Sequence, residues 1–237
     1  MSKHIKYALV LAGGKGTRLG SLALDIPKPL IEVQGKPVLL HLIEQLRKYG
    51  VETVFLSIGY LADKIKSYFD RHPVEGIKIV LVEESAENPL GTGGPLALLR
   101  GKVNEPFFIL NGDTLTDVEL DKFHAFHLKN KSTLTIALKE VGNTFSLGSV
   151  RMDGNRIVEF AEKPEKNSPS NIVNIGVYVA NPEVMSLVEP GKPVSIEKDI
   201  FPALAKKKAL YGFISKAQYF DIGTPERLEN ARKNWRP

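Results

Sequence analysis

Tyr7-Ala-Leu-Val-Leu-Ala-Gly-Gly-Lys-Gly-Thr-Arg-Leu19 is the stretch whose reading decides the fold. Its first half is apolar and has strand character. Its second half places Gly13, Gly14 and Gly16 ahead of Thr17 and Arg18. Glycine lets a backbone turn sharply and leaves room for a bulky ligand. Successive N–H groups in such a turn converge on an anion. The Arg18 guanidinium adds a planar fork that can grip phosphate oxygens. A strand that delivers a glycine loop ending in a cation predicts a nucleotide phosphate site. Two common phosphate loops do not fit. The dinucleotide fingerprint needs a third small residue where Leu19 stands, and the Walker pattern needs Gly-Lys-Ser/Thr after its spacer. A glycine turn in an ordinary α/β protein is the plainer alternative for this stretch alone.

Working outward, Ile26-Pro-Lys-Pro-Leu30 comes next. Its two prolines predict an extended segment that presents Lys28 rather than burying it in a helix. Lys28 then reads as a second cation for a triphosphate, or as a surface turn. The spacing predicts a helix over 37–49, with Val38, Leu39, Leu42, Ile43 and Leu46 on one face and Gly50 as its C-cap. Strands are predicted over 51–57 and 77–82, with an amphipathic helix over 61–71 between them. Strands alternating with helices argue for a parallel sheet covered on both faces.

The segment Glu83-Glu-Ser-Ala-Glu-Asn-Pro-Leu-Gly-Thr-Gly-Gly-Pro-Leu96 again sets a glycine-rich loop behind a strand, before an expected helix. Ligands of open α/β sheets gather beyond the carboxyl ends of the strands. Acids there suit the N–H donors of a guanine edge, and Glu84 is the candidate nearest the strand end. They equally suit the positive end of a helix. A strand over 106–110 ends in Asn111-Gly112-Asp113, which places Asp113 to hold Mg²⁺. Asp117, Glu119 and Asp121 read as first-turn helix residues, and His124 and His127 as surface. Further strands are predicted over 134–141, 174–178 and 210–214. A hairpin is expected around Asp153-Gly-Asn155, and helices over 182–188 and 195–207. Thr224 followed by Pro225 is a helix start.

These motifs resemble, in order, the signatures of the sugar-1-phosphate nucleotidyltransferase family: Leu11–Leu19, Pro27–Leu30, Leu90–Gly94, Asn111–Asp113, Glu162–Pro164 and Asp221–Pro225. The resemblance implies a Rossmann-like three-layer α/β sandwich with a central mixed, mostly parallel sheet. It implies one domain over 1–237, with a smaller β lobe over 134–180 on the sugar side. It implies that an NTP reacts with a sugar 1-phosphate to give a nucleotide sugar and pyrophosphate. Leu11, Ala12, Gly13, Gly14, Gly16, Thr17, Arg18, Lys28, Glu84, Gly91, Thr92 and Asp113 would then hold the nucleotide. Gly148, Glu162, Lys163 and Asn174 would hold the sugar phosphate, and Asp113 with Asp221 would hold Mg²⁺. Arg18, Lys28, Asp113, Lys163 and Asp221 would carry catalysis. Within the family the Pro-Leu-Gly-Thr-Gly-Gly loop looks most like that of the D-glycero-α-D-manno-heptose-1-phosphate guanylyltransferases, which implies GTP as donor. Mannose-1-phosphate guanylyltransferases come second, and thymidylyl or uridylyl transfer to glucose 1-phosphate third. A non-catalytic sugar-nucleotide-binding subunit is the reading from another class; the catalytic set just named argues against it.

Composition bounds the alternatives. Among 237 residues, Lys+Arg exceed Asp+Glu by 32 − 27 = 5, a scattered surplus that suits a small anionic substrate and predicts no nucleic-acid partner. Cysteine is absent, so neither a disulfide nor a thiolate nucleophile is available. No run approaches the ~18 apolar residues of a membrane span. The basic opening at Lys3, His4 and Lys6 precedes an apolar run too short for a signal peptide. The expectation is a cytoplasmic enzyme without a membrane partner, a monomer or a small homo-oligomer.

Overall fold

The computed structural model describes residues 4–85, 87–164 and 168–236; Lys3 lies outside them. The chain forms two compact units. The first comprises Met1–Pro89, Leu110–Asp117 and Gln218–Pro237; the second comprises Leu90–Ile109 and Val118–Ala217. The chain passes from the second unit to the first within the strand Phe107–Asn111. The expected sugar-side segment 134–180 lies wholly in the second unit.

In the first unit, Tyr7–Leu11 pairs in parallel with Thr53–Ile58, which pairs in parallel with Lys78–Glu83. Ala8, Leu9 and Val10 are wholly buried, so this strand is a continuous apolar run, as a strand covered on both faces requires. Helix Val38–Lys48 buries the predicted face of Val38, Leu39, Leu42, Ile43 and Leu46. Gly50 follows it at φ 84, a left-handed cap that glycine adopts without strain. Two short ribbons complete the unit. Glu32–Val33 pairs with Lys36–Pro37, and Thr114–Thr116 pairs antiparallel with Tyr219–Asp221.

The second unit is mixed. Leu210–Ile214 runs parallel to Leu134–Glu140, while Ile172–Ala180 runs antiparallel to it. Ser149–Asp153 and Arg156–Ala161 form the expected hairpin, turning at Gly154 with φ 57. The parallel pattern read from strand–helix alternation therefore holds for the three strands of the first unit and gives way to antiparallel pairing in most of the second.

Several local expectations are corrected. Leu-Gly-Thr-Gly-Gly opens a tight 3₁₀ turn over Gly94–Leu99, not an α-helix. The 195–207 helix begins as a wide π turn, Ile196–Ile200, and becomes α-helical only over Phe201–Lys206. Pro202 cannot donate to the carbonyl four residues back, which favours the wider turn before it. Helix Leu120–Asn130 has Asp121 in its first turn and Glu119 at its N-cap, but Asp117 stands outside it. Asp117 instead accepts from the Gln218 backbone and side-chain nitrogens, at 2.7 Å each. His124 and His127 are buried, not surface groups. His127 Nδ1 lies 2.8 Å from Thr135 Oγ1 and Nε2 lies 3.2 Å from Asn181 Oδ1, so the ring is a satisfied core group.

Candidate active site

The opening strand ends at Leu11, and residues 12–16 form the glycine loop before a single 3₁₀ turn, Thr17–Leu19. The loop is tied down on both sides. Ala12 N–H donates to Ser57 O at 2.8 Å, and Leu11 O accepts from Gly112 N–H at 2.9 Å. A Cβ at Gly112 would lie 2.7 Å from Leu11 O, so only glycine lets the two loops approach this closely. Gly16 has φ 63, and a Cβ there would meet Ala23 and Lys28 side-chain carbons at 3.2 and 3.3 Å. Gly14 faces open space within 4 Å, leaving its backbone accessible. Thr17 and Arg18 are exposed at the end of the loop.

Gly13 leads to the candidate base-reading acid. A Cβ there would lie 3.2 Å from Glu84 Oε1, so this glycine admits the carboxylate against the loop. Ser57 Oγ donates to the same oxygen, and Glu84 N–H donates to Ile58 O at 2.8 Å. The glutamate favoured from its place near the strand end is thus the one positioned beside the glycine loop.

The backbones of the two candidate metal residues are brought close by the ribbon. Asp221 registers with Thr114, and Ile222 N–H donates to Asp113 O at 3.1 Å, so Asp113 and Asp221 lie one step apart across two strands. Lys28 Nζ donates to Asp113 Oδ2. Lys28 is only 8% exposed, in a 3₁₀ turn over Lys28–Leu30, which corrects the extended, presented lysine predicted from its flanking prolines. The turn closes because Leu30 N–H reaches Pro27 O at 2.8 Å, and the ion pair offsets the burial of the ammonium. Desolvation is the largest influence and pushes the Asp113 carboxyl up, but the Lys28 ammonium together with hydrogen bonds from Thr114 and the backbone holds the group below its ordinary value.

Asp221 is held by three donations. Arg227 Nη1 lies 3.1 Å from Oδ1 and 2.9 Å from Oδ2, and Gly223 N–H reaches Oδ1 at 2.9 Å. A Cβ at Gly223 would lie 2.7 Å from Asp221 Oδ1 and 3.4 Å from Arg18 Nη2, so this glycine leaves room for the arginine and the carboxylate near one spot. Among the described residues no group of three or more His, Cys, Asp or Glu side chains is set to hold a metal. Two carboxylates alone fit a hard cation that takes its remaining ligands from phosphate and water, as Mg²⁺ does.

The remaining predicted residues lie in the second unit. A Cβ at Gly148 would lie 2.8 Å from Glu162 Oε2, and Lys163 Nζ pairs with Glu162 Oε1 at 2.8 Å. Asn174 N–H donates to Gly148 O at 2.8 Å, and its side chain bonds the Tyr178 hydroxyl at 2.9 Å. Gly148, Glu162, Lys163 and Asn174 therefore form one cluster. Gly91 and Thr92 serve a different neighbour. Gly91 has φ 73, and a Cβ on it would lie 2.5 Å from Val194 O. Thr92 Oγ1 donates to Glu197 at 2.6 Å and accepts from Ile196 N–H at 2.9 Å.

Two site residues escaped the sequence reading: Ser57, which orients Glu84, and Arg227. Arg227 carries a usable signal. It stands third in a helix that starts at Pro225, where the macrodipole disfavours a cation. A cation in that position calls for a local anion, which Asp221 supplies.

A family model described as "Nucleotidyl transferase" matches residues 7–236. "Probable mannose-1-phosphate guanylyltransferase 2" of Arabidopsis thaliana is 40% identical over 228 residues, covering 92% of this chain and 62% of its own. The chain thus spans about three fifths of that relative's length. The crystal structure of HddC from Yersinia pseudotuberculosis complexed with GMP-PN superposes with a TM-score of 0.81 at 32% identity, covering 97% of this chain and 99% of that one. A putative glucose-1-phosphate thymidylyltransferase from Bacillus anthracis, at 20% identity, superposes with a TM-score of 0.85 over 98% of this chain and 97% of that one. That likeness speaks for the fold alone: a mixed α/β architecture with a central mixed sheet.

Proposed function

The chain belongs to the nucleotidyl transferase family, and from that premise we propose that it transfers a guanylyl group from GTP to a sugar 1-phosphate. The observation that carries the reading is the pair Asp113 and Asp221, one register step apart, with Lys28 on the first and Arg18 near the second. A sugar phosphate has a second pKa of about 6, so it is a competent nucleophile at neutral pH and needs no general base. Catalysis then consists of positioning and charge stabilisation while a phosphate oxygen attacks the α-phosphorus in line.

Each residue has a part. Asp113 and Asp221 would hold Mg²⁺, which supplies positive charge at the α-phosphate when bound. Lys28 and Arg18 bind the triphosphate, and Arg18 steadies the departing pyrophosphate. The Gly13–Gly16 backbone cradles the phosphates. Lys163 places the acceptor phosphate, while Glu162, Gly148 and Asn174 take the sugar. Glu84, oriented by Ser57, accepts from the guanine N1–H and N2–H, which a pyrimidine cannot reproduce.

Guanylyl transfer is supported by the Glu84 geometry and by the name that the Arabidopsis relative carries. That name also favours a manno-configured acceptor, with mannose 1-phosphate ahead of the heptose 1-phosphate expected from the loop. The enzyme acts in the cytoplasm, as a monomer or small homo-oligomer. Four NTPs crossed with mannose, manno-heptose and glucose 1-phosphates, scored by pyrophosphate release, test the reading. GTP with a manno-configured acceptor should give the highest kcat/KM. Equal or better values for UTP or dTTP would overturn the guanine assignment.

A further inference from the structure

Arg227 has no part in the scheme above, yet it makes the closest arrangement around Asp221. One guanidinium nitrogen lies within 3.1 Å of both carboxylate oxygens, and Gly223 N–H adds a third donor. Asp113 is likewise engaged by Lys28. Each carboxylate therefore has a side-chain cation on it, Lys28 on Asp113 and Arg227 on Asp221, and both Asp221 oxygens already have partners. A divalent cation arriving alone has to displace Arg227 from an anion and leave the guanidinium beside it, a like-charge arrangement. A cation arriving with a triphosphate brings acceptors whose geometry matches the guanidinium fork. Arg227 sits at the third position of helix Pro225–Asn234, against the local dipole, with its backbone N–H held by Thr224 Oγ1 at 3.3 Å. Its Nη1 donates to the carboxylate, and a phosphate oxygen can accept from the same nitrogen.

We propose that Arg227 is a placeholder cation, a positioning residue that occupies Asp221 until a metal–nucleotide complex arrives and thereby makes metal binding depend on the triphosphate. The inference rests on the reading of Asp113 and Asp221 as the metal carboxylates. It predicts negative coupling between Arg227 and metal in the absence of nucleotide, and release of that coupling when phosphates accept the guanidinium.

The test is Mn²⁺ binding to the full chain, followed by the loss of the free-ion paramagnetic resonance signal, with and without GTP and without acceptor. Wild type alone should bind Mn²⁺ weakly and bind it far better with GTP. Arg227→Gln, which keeps a hydrogen bond and removes the charge, should bind Mn²⁺ alone about tenfold tighter, within the usual range of coupling between sites. Arg227→Lys, which keeps the charge, should stay as weak as wild type. Arg227→Gln combined with Asp221→Asn should lose the gain. Circular dichroism melts identify any variant that fails to fold, and Arg227→Lys then still separates charge from shape. Unchanged Mn²⁺ affinity in folded Arg227→Gln overturns the inference, as does a gain that survives Asp221→Asn. If wild type forms nucleotide sugar while Arg227→Gln shows no gain, only this inference fails. If wild type forms none with any NTP, the underlying reading fails and takes the inference with it.

Discussion

Asp113 and His127 show two residue-scale outcomes of burial. At Asp113 desolvation opposes ionisation, but the Lys28 ammonium, with hydrogen bonds from Thr114 and the backbone, holds the carboxyl below its ordinary value. Asp113→Asn keeps the shape and removes that charge. The fold should survive, judged by circular dichroism, while kcat falls by about 10²-fold or more, the scale of lost electrostatic stabilisation. EDTA should abolish wild-type turnover, and full activity in EDTA would remove the metal from the scheme. At His127 burial is the largest influence and lowers the imidazole from 6.5 to about 4, with the Asn181 hydrogen bond and the Glu183 charge opposing it only in part. The folded value lies below the unfolded one, so the neutral ring's stabilisation is complete above pH 6.5 and is lost as pH falls toward about 4. The full span is worth about 3 kcal/mol. Urea unfolding at pH 7 and pH 4.5 should show His127→Gln losing about 2 kcal/mol less than wild type over that interval. Parallel losses would contradict the assignment.

Among the elements, the Leu90–Gly94 loop is bound to a neighbouring segment as firmly as a strand. Gly93 N–H reaches Val194 O at 2.7 Å and Val194 N–H reaches Leu90 O at 2.8 Å. Gly91→Ala introduces a Cβ at 2.5 Å from Val194 O with φ held at 73, a conformation disfavoured for alanine. A destabilisation of about 1–3 kcal/mol is expected by calorimetry or urea titration; an unchanged midpoint would show that the loop yields. The loop also marks where sequence reading stops. Its glycines were legible as a turn, but the backbone they accommodate comes from residues about a hundred positions later. The opening strand, helix Val38–Lys48, the hairpin at Gly154 and the Thr224–Pro225 start were legible because periodicity and cap chemistry are local. Burial of Lys28, His124 and His127 was not. Each depends on a partner brought in by the tertiary fold, and an isolated polar residue reads as exposed. Arg227 was visible only as a cation at the wrong end of a helix.

At the scale of the whole molecule, the Gly13–Gly16 loop, Lys28, Glu84, Asp113 and Asp221 belong to the first unit, and Gly148, Glu162, Lys163 and Asn174, the residues proposed to take the acceptor, belong to the second together with Gly91 and Thr92. Lys163→Ala should therefore raise the KM for the sugar phosphate while leaving GTP affinity, measured by calorimetric titration, nearly unchanged. Loss of GTP binding with an unaltered acceptor KM would reverse that division of labour. The ribbon and glycine loop are built from backbone registers, whereas the residues proposed to meet base and sugar, Glu84, Glu162 and Lys163, are side chains at loop ends. The central claim is that the acceptor's own phosphate oxygen attacks the α-phosphorus. It is tested most directly by supplying GTP with mannose 1-phosphate whose phosphate carries heavy oxygen and weighing the products. The account predicts a GDP-sugar that retains all the heavy oxygen, alongside unlabelled pyrophosphate in equal amount. Heavy oxygen in pyrophosphate, or GTP consumed with no labelled nucleotide sugar formed, would contradict it.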